Sequence, residues 1–122
     1  MALFTIFGHN GFIGTNLKKK LKNHNLILPK RNQLKIKRFL GHVIYCIGSD
    51  NWMNDKFNSY MANIGYIPEI IKNNKFKTFT FLSTTRIYKK NSFTNEESSL
   101  NVNPLDLNDF YNLKKICAES YL

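Results

Sequence analysis

Apolar residues change their spacing repeatedly along this chain, and each change predicts an element. Leu3, Phe4, Ile6 and Phe7 make a run of strand length, and after the glycines at 8, 11 and 14 Leu17 and Leu21 fall at helical spacing, so the chain opens as strand, loop and helix. Residues 25–28 predict a second strand that Pro29 stops. The link over 29–41 is short, with room for one small helix around 33–40 and a parallel crossover. Residues 42–47 are apolar almost without a break, as in a strand covered on both faces, and Gly48-Ser49 ends it. Over 56–72, Phe57, Tyr60, Met61, Ile64, Ile67, Ile70 and Ile71 recur at helical steps, with Asn54 or Asp55 as cap. Pro68 lies inside that helix and predicts a kink or a broken last turn. Residues 76–82 predict a fourth strand with Thr78 and Thr80 alternating, followed by a polar loop over 89–104. Asp106 or Asn108 then caps a last helix whose Phe110, Leu113, Ile116, Cys117 and Tyr121 make one apolar stripe. Strands alternating with helices predict an α/β architecture: a parallel sheet of about four strands, helices on both faces and right-handed crossovers.

Composition narrows the class. A chain of 122 residues that is 43% hydrophobic suits one compact domain. No apolar run approaches the ~18–20 residues of a membrane span, and the N-terminus does not read as a secretory leader, so a soluble cytoplasmic protein without a membrane partner is expected. Cys46 and Cys117 lie far apart in apolar segments and read as buried reduced thiols, while His9, His24 and His42 are too scattered for a metal site. The net charge is +10, and no acidic residue precedes Asp50. Such a field attracts polyanions, nucleic acid or phosphorylated small ligands alike. The lysines at 18, 19, 20 and 22 read as a solvated helix face. A nucleic-acid partner is not expected, because Phe57, Tyr60, Phe79 and Phe81 fall on core stripes rather than on a stacking platform.

The first loop carries chemistry of its own. A dinucleotide pyrophosphate needs a tight turn leaving a strand, a backbone bare enough for close approach, and a helix N-terminus whose free N–H groups face the phosphates. Gly8 would make the turn, Gly11 admit the phosphate, and Gly14 let helix and strand pack closely. Loop glycines that serve only the turn are the alternative, and a nucleoside-triphosphate loop is disfavoured because no Gly-Lys-Ser/Thr follows.

Three further features fall where a nucleotide-dependent redox site would need them. Tyr111 and Lys115 share a helix face, and a nearby cation stabilises a phenolate whose ordinary pKa of ~10 is too high for a base at neutral pH, so the pair forms a general acid/base device. Ser83, Thr84 and Thr85 follow the fourth strand at the edge where open parallel sheets bind ligands; satisfying the turn is the other use of such hydroxyls. Asn63, among Met61, Ile64 and Ile67, needs partners if buried, and joining a strand-end loop beside a cofactor is one way to find them.

In order and together, these residues resemble the N-terminal part of the extended short-chain dehydrogenase/reductase family, the NAD-dependent epimerase/dehydratase group that acts mostly on nucleotide sugars. Gly8-His9-Asn10-Gly11-Phe12-Ile13-Gly14 is similar to its G-x-x-G-[FY]-[IL]-G loop, and Tyr45-Cys46-Ile47-Gly48 stands where the family has a His-Leu-Ala-Ala-like strand end. Asn63-Ile64-Gly65 resembles its Asn-Val-x-Gly-Thr, and residues 83–88 resemble Ser-Ser-x-x-Val-Tyr-Gly, with Thr84 at the catalytic Ser/Thr position. Tyr111 and Lys115, with Glu119 one turn on, resemble Tyr-x-x-x-Lys-x-x-x-Glu. The likeness implies a Rossmann-like fold and an NAD or NADP cofactor held by the loop from Gly8 to Gly14, the 46–48 strand end, Asn63, Tyr111 and Lys115. It implies hydride transfer at a sugar hydroxyl carbon: Tyr111 takes the hydroxyl proton, Lys115 lowers the tyrosine pKa and holds the nicotinamide ribose, and Thr84 hydrogen-bonds the reacting oxygen.

The chain departs from that pattern in three places. Where the family has an acidic residue after the second strand, this chain has Pro29-Lys30-Arg31, which would pair with a 2′-phosphate and makes NADP(H) at least as good as NAD(H). The 29–41 link cannot hold the additional strand and helix of the family. The sequence ends after the Tyr111 helix, so it reads as a truncated NAD(P)-binding domain over 1–122 that lacks the C-terminal substrate-binding part. A nucleotide-sugar enzyme, or its N-terminal fragment, and a non-catalytic NAD(P)-binding module both fit. The last strand, left as an exposed edge, predicts self-association or a missing C-terminal half as partner.

Overall fold

The computed structural model describes residues 1–49, 51, 53–88 and 95–122. Strands β1 (Leu3–Phe7), β2 (Asn25–Ile27), β3 (His42–Tyr45) and β4 (Thr78–Phe81) form one parallel sheet in the order β2-β1-β3-β4. Helix α1 (Phe12–Lys20) joins β1 to β2; α2 (Lys56–Tyr60), a π-helical turn (Met61–Gly65) and α3 (Tyr66–Asn73) join β3 to β4; α4 (Phe110–Tyr121) follows β4. From β1 the chain steps to one side of the sheet, and from β3 to the other, so right-handed crossovers put α1 and α2–α3 on opposite faces. The connections diverge between β1 and β3. The sheet's C-terminal edge opens there into a crevice.

Register sorts the side chains. Thr5 and Phe7 pair with Val43 and Tyr45 and share one face with Phe79 and Phe81. Against that face pack Ile67 and Ile70 of α3 and Ala118 of α4, which makes the core. Ile6, on the other face, is also fully buried.

Five expectations need correction. The 29–41 link forms no helix: Leu34 and Ile36 are half-buried while Lys35 and Lys37 are exposed, a two-residue period that belongs to extended chain. Asn74 holds the link open, its Oδ1 accepting from Ile36 N at 2.8 Å and its Nδ2 donating to Leu34 O at 2.7 Å. The disturbance expected around Pro68 falls before the proline rather than in the last turn. The π turn, in which the Tyr66 N–H reaches Met61 O, directly precedes Pro68, and the helix continues past the proline to Asn73. The apolar stripe of α4 is not its buried face; Asn112, Lys115 and Ala118 are, because α4 turns its polar residues toward the sheet edge. Phe110, Leu113 and Cys117 instead line an open groove with Tyr60 and Ile64. Cys117 is therefore exposed and Cys46 only half-buried, and Phe57 and Tyr60 stand 70% and 51% exposed rather than in the core.

Asp55 caps α2, accepting from Asn58 N at 3.0 Å, and Asp106 caps the 3-10 turn Leu107–Asp109 that leads into α4. β4 is an edge strand with Thr78 and Thr80 exposed. The loop expected over 89–104 lies partly outside the described residues. Among the described residues no helix is long and apolar enough to cross a membrane.

Candidate functional site

Two cavities that share Gly11, Cys46, Ile47 and Gly48 run along the C-terminal edge of the sheet. The first, of 410 Å³, reaches from the glycine loop to Lys30 and Arg31, with Asn58 and Tyr66 on its far wall. The second, of 440 Å³, reaches from Phe12 and Ile13 to Thr84, Tyr111 and Lys115. The glycine loop and the Tyr-Lys pair, a hundred residues apart in sequence, thus border one groove.

The three glycines do different work. Gly8 leaves β1 with φ +85°, and a Cβ there would lie 2.9 Å from the Cys46 carbonyl carbon, so the turn and the approach to β3 both require glycine. A Cβ on Gly14 would come within 2.2 Å of Gly8 O and 2.6 Å of His9 Cα, which makes Gly14 the contact that seats α1 against the loop. Gly11 is different: a Cβ there meets nothing nearer than Gly8 O at 3.5 Å. Among the described residues nothing excludes a side chain at Gly11, which lines both cavities. Gly11 is also the N-cap of α1 and offers no side-chain cap, so the first N–H groups of the helix face the groove unpaired by a cap. Phe12 and Ile13, 87% and 48% exposed, turn apolar surface toward the second cavity. Asn10 lines the first cavity beside Gly11.

Lys115 sits at the heart of the second cavity with 3% of its surface exposed. Its Nζ donates to Leu82 O at 3.0 Å and lies 4.8 Å from the Phe81 ring centroid and 5.6 Å from that of Tyr111. Burial pushes its pKa down, and Cys46 and Glu119 oppose that shift. Burial likewise pushes the Cys46 thiol up, against the nearby Lys115 charge, so Cys46 stays a neutral wall at neutral pH. The Tyr111 ring carries a second cation: the Arg86 guanidinium carbon lies 5.3 Å from its centroid. Thr84 accepts a hydrogen bond from Arg86 N at 3.2 Å, which folds the β4 end into the 3-10 turn Thr85–Tyr88 and sets the Thr84 hydroxyl on the groove wall.

Asn63 lies in the π turn and is fully buried. Its Nδ2 donates to Ser49 O at 2.6 Å and Ser59 O at 2.8 Å, tying the strand-end loop after β3 to the helix. Its Oδ1 is buried and finds no hydrogen-bond partner among the described residues. A Cβ on Gly48 would stand 3.6 Å from that oxygen and 3.5 Å from Lys115 Nζ, so both polar atoms flank the one glycine. Tyr45 anchors the π turn from below, its hydroxyl donating to Ala62 O at 2.6 Å.

Of the residues expected at the site, all but Gly14 and Asn63 line one of the two cavities; Gly14 is buried where α1 meets the loop, and Asn63 ties the loop after β3 to the π turn. Sequence reasoning missed Arg86, which falls at a variable position of the motif and acts through a ring contact that spacing does not reveal. It also missed Lys114, whose Nζ donates to Ser59 Oγ at 2.6 Å and draws α4 against α2.

The fold and groove define a Rossmann-type α/β domain with its ligand crevice at the point where the strand order reverses. No family model and no curated protein matches the sequence. Among solved structures, the chain is similar to RMD from Pseudomonas aeruginosa, determined in complex with NADPH, with a TM-score of 0.75 at 18% identity. The match covers 99% of this chain and 48% of that one, so this chain spans about half the length of its structural neighbour.

Proposed function

We propose that the chain is the cofactor-binding and acid/base half of an NAD(P)-dependent oxidoreductase of the extended short-chain dehydrogenase/reductase type, acting at a hydroxyl carbon of a nucleotide sugar. The observation that carries this reading is the second cavity, where the N-terminus of α1 faces Thr84, Tyr111 and Lys115. The neighbour's NADPH supports the cofactor class. The groove's own features support a dinucleotide: an N-terminus of α1 without a side-chain cap, a Gly11 at which a Cβ would meet only Gly8 O, and Lys30 and Arg31 at the far end of a cavity lined by no carboxylate among the described residues.

A bound nicotinamide would supply the hydride acceptor. The rest falls to the chain's own residues. Tyr111, as phenolate, takes the proton of the substrate hydroxyl as the hydride leaves the same carbon, and the Lys115 and Arg86 cations beside its ring favour the anionic form. The Thr84 hydroxyl hydrogen-bonds the reacting oxygen. Lys30 and Arg31 would pair with a 2′-phosphate and favour NADP(H). The test is Tyr111→Phe, assayed for hydride transfer with candidate sugar nucleotides and for NADPH binding by nucleotide fluorescence. Turnover should vanish while affinity stays within about threefold; loss of both together refutes the assignment. Binding without turnover in the unaltered chain would favour a non-catalytic NAD(P)-binding module.

A further inference from the structure

Tyr111, Lys115 and Glu119 stand at four-residue steps on α4 and so lie along one line of the helix. The line meets the end of β4 at two consecutive residues: Lys115 Nζ donates to the Leu82 carbonyl at 3.0 Å, and Glu119 Oε1 accepts a hydrogen bond from the Ser83 hydroxyl. The next residue is Thr84. We propose that Glu119 is a positioning residue that pins the Ser83–Thr84 loop to α4 and whose charge favours the Lys115 ammonium. This inference rests on the oxidoreductase reading of the groove for its purpose, though not for its test.

The surroundings of Lys115 explain why a counter-charge is needed. β3 presents the neutral Cys46 thiol; β4 presents the Phe81 ring and the Leu82 carbonyl; the π turn presents Asn63 across Gly48; α4 itself presents Tyr111 and Glu119; and Arg86, a second cation, lies over the Tyr111 ring. Among these groups Glu119 alone carries a negative charge at neutral pH. Burial disfavours the ammonium, and Cys46 and Glu119 oppose that shift. Glu119 is itself exposed, so its effect falls on these neighbours rather than on the core.

Two variants separate its roles. Glu119→Gln keeps an acceptor for Ser83 and removes the charge; Ser83→Ala removes the bond and keeps the charge. The pH dependence of Lys115 acylation by an amine-reactive reagent, followed by peptide mass spectrometry on the whole chain, reads the ammonium directly. Glu119→Gln should measurably lower the apparent Lys115 pKa, with Ser83→Ala unchanged. Amide exchange at residues 82–84 should accelerate roughly tenfold in Ser83→Ala and in Glu119→Ala, and stay near the original rate in Glu119→Gln. An unmoved Lys115 titration in Glu119→Gln, or unmoved exchange in both Ser83→Ala and Glu119→Ala, overturns the proposal. Neither readout needs turnover, so failure of the oxidoreductase reading, judged with Tyr111→Phe, would be seen separately.

Discussion

Replacing Gly11 and Gly14 by alanine, one at a time, should produce opposite phenotypes although the two lie in the same loop. At Gly14 the new methyl group would sit 2.2 Å from Gly8 O and 2.6 Å from His9 Cα, both backbone atoms with no side-chain torsion to relieve the overlap. Either α1 lifts from β1 or the loop deforms, at a cost of about 3 kcal/mol, the upper range for forced overpacking. A chain of 122 residues holds roughly 6–18 kcal/mol of stability at ordinary per-residue values, so the loss should lower Tm by roughly 10–20 °C. At Gly11 the backbone is extended, with φ −74° and ψ 175°, and the methyl meets Gly8 O at an ordinary 3.5 Å. Alanine is a slightly worse N-cap than glycine but loses less chain entropy on folding, so the net change should stay within about 0.5 kcal/mol.

Ligand binding should reverse the ranking. The Gly11 methyl stands on the surface a pyrophosphate would have to touch, and losing one charged hydrogen bond to the α1 N-terminus costs about 1.5–3 kcal/mol, or roughly tenfold to a hundredfold in affinity. Thermal unfolding by circular dichroism and NADPH titration by fluorescence measure the two quantities on the same samples. If Gly11→Ala binds NADPH as the unaltered chain does, no diphosphate rests on this loop. If Gly14→Ala melts at the original temperature, α1 does not seat against β1 as described.

Three other perturbations probe separate parts of the argument. Lys30→Ala with Arg31→Ala should weaken NADPH by tenfold or more and leave NADH nearly unchanged, with a shallower salt dependence of NADPH binding; equal loss for both nucleotides would place the 2′-phosphate elsewhere. Asn74→Ala removes bonds to Ile36 N, Leu34 O and Ile70 O and should cost about 2–3 kcal/mol by denaturant unfolding, with faster exchange at Ile36; a neutral result would mean that the helix-free link holds itself. Hydrogen bonds from Asn58 hold the Asp55 carboxyl below its ordinary pKa, so its contribution is present above about pH 4 and is lost as pH falls through the lowered value. The stability gap between Asp55→Ala and the unaltered chain should therefore close on acidification; a gap constant down to pH 2 contradicts a charged cap.

How far the sequence could be read depended on whether burial and polarity agreed. They agree in the strand–loop–helix of β1 and α1, where three glycines and a short apolar run admit few arrangements, and along α3, whose Ile67 and Ile70 are both core residues. They disagree along α4. Apolar periodicity there picked out Phe110, Leu113, Ile116, Cys117 and Tyr121, yet the buried line is Asn112, Lys115 and Ala118. A helix that served only to cover the sheet would have turned the other way, since burying an ammonium and a carboxamide is costly unless both are bonded. Lys115 offsets that cost with the Leu82 carbonyl and two aromatic faces. The inverted helix thus places Tyr111 and Lys115 in the lining of the same cavity as Gly11, the placement on which the proposed acid/base role rests. The 33–40 segment failed for a simpler reason, because two half-buried residues two apart satisfy a strand period as well as a helical composition, and only Asn74, far along the chain, decides between them. Local pattern thus located the groove's floor, while the side chains that work across it were set by partners distant in sequence.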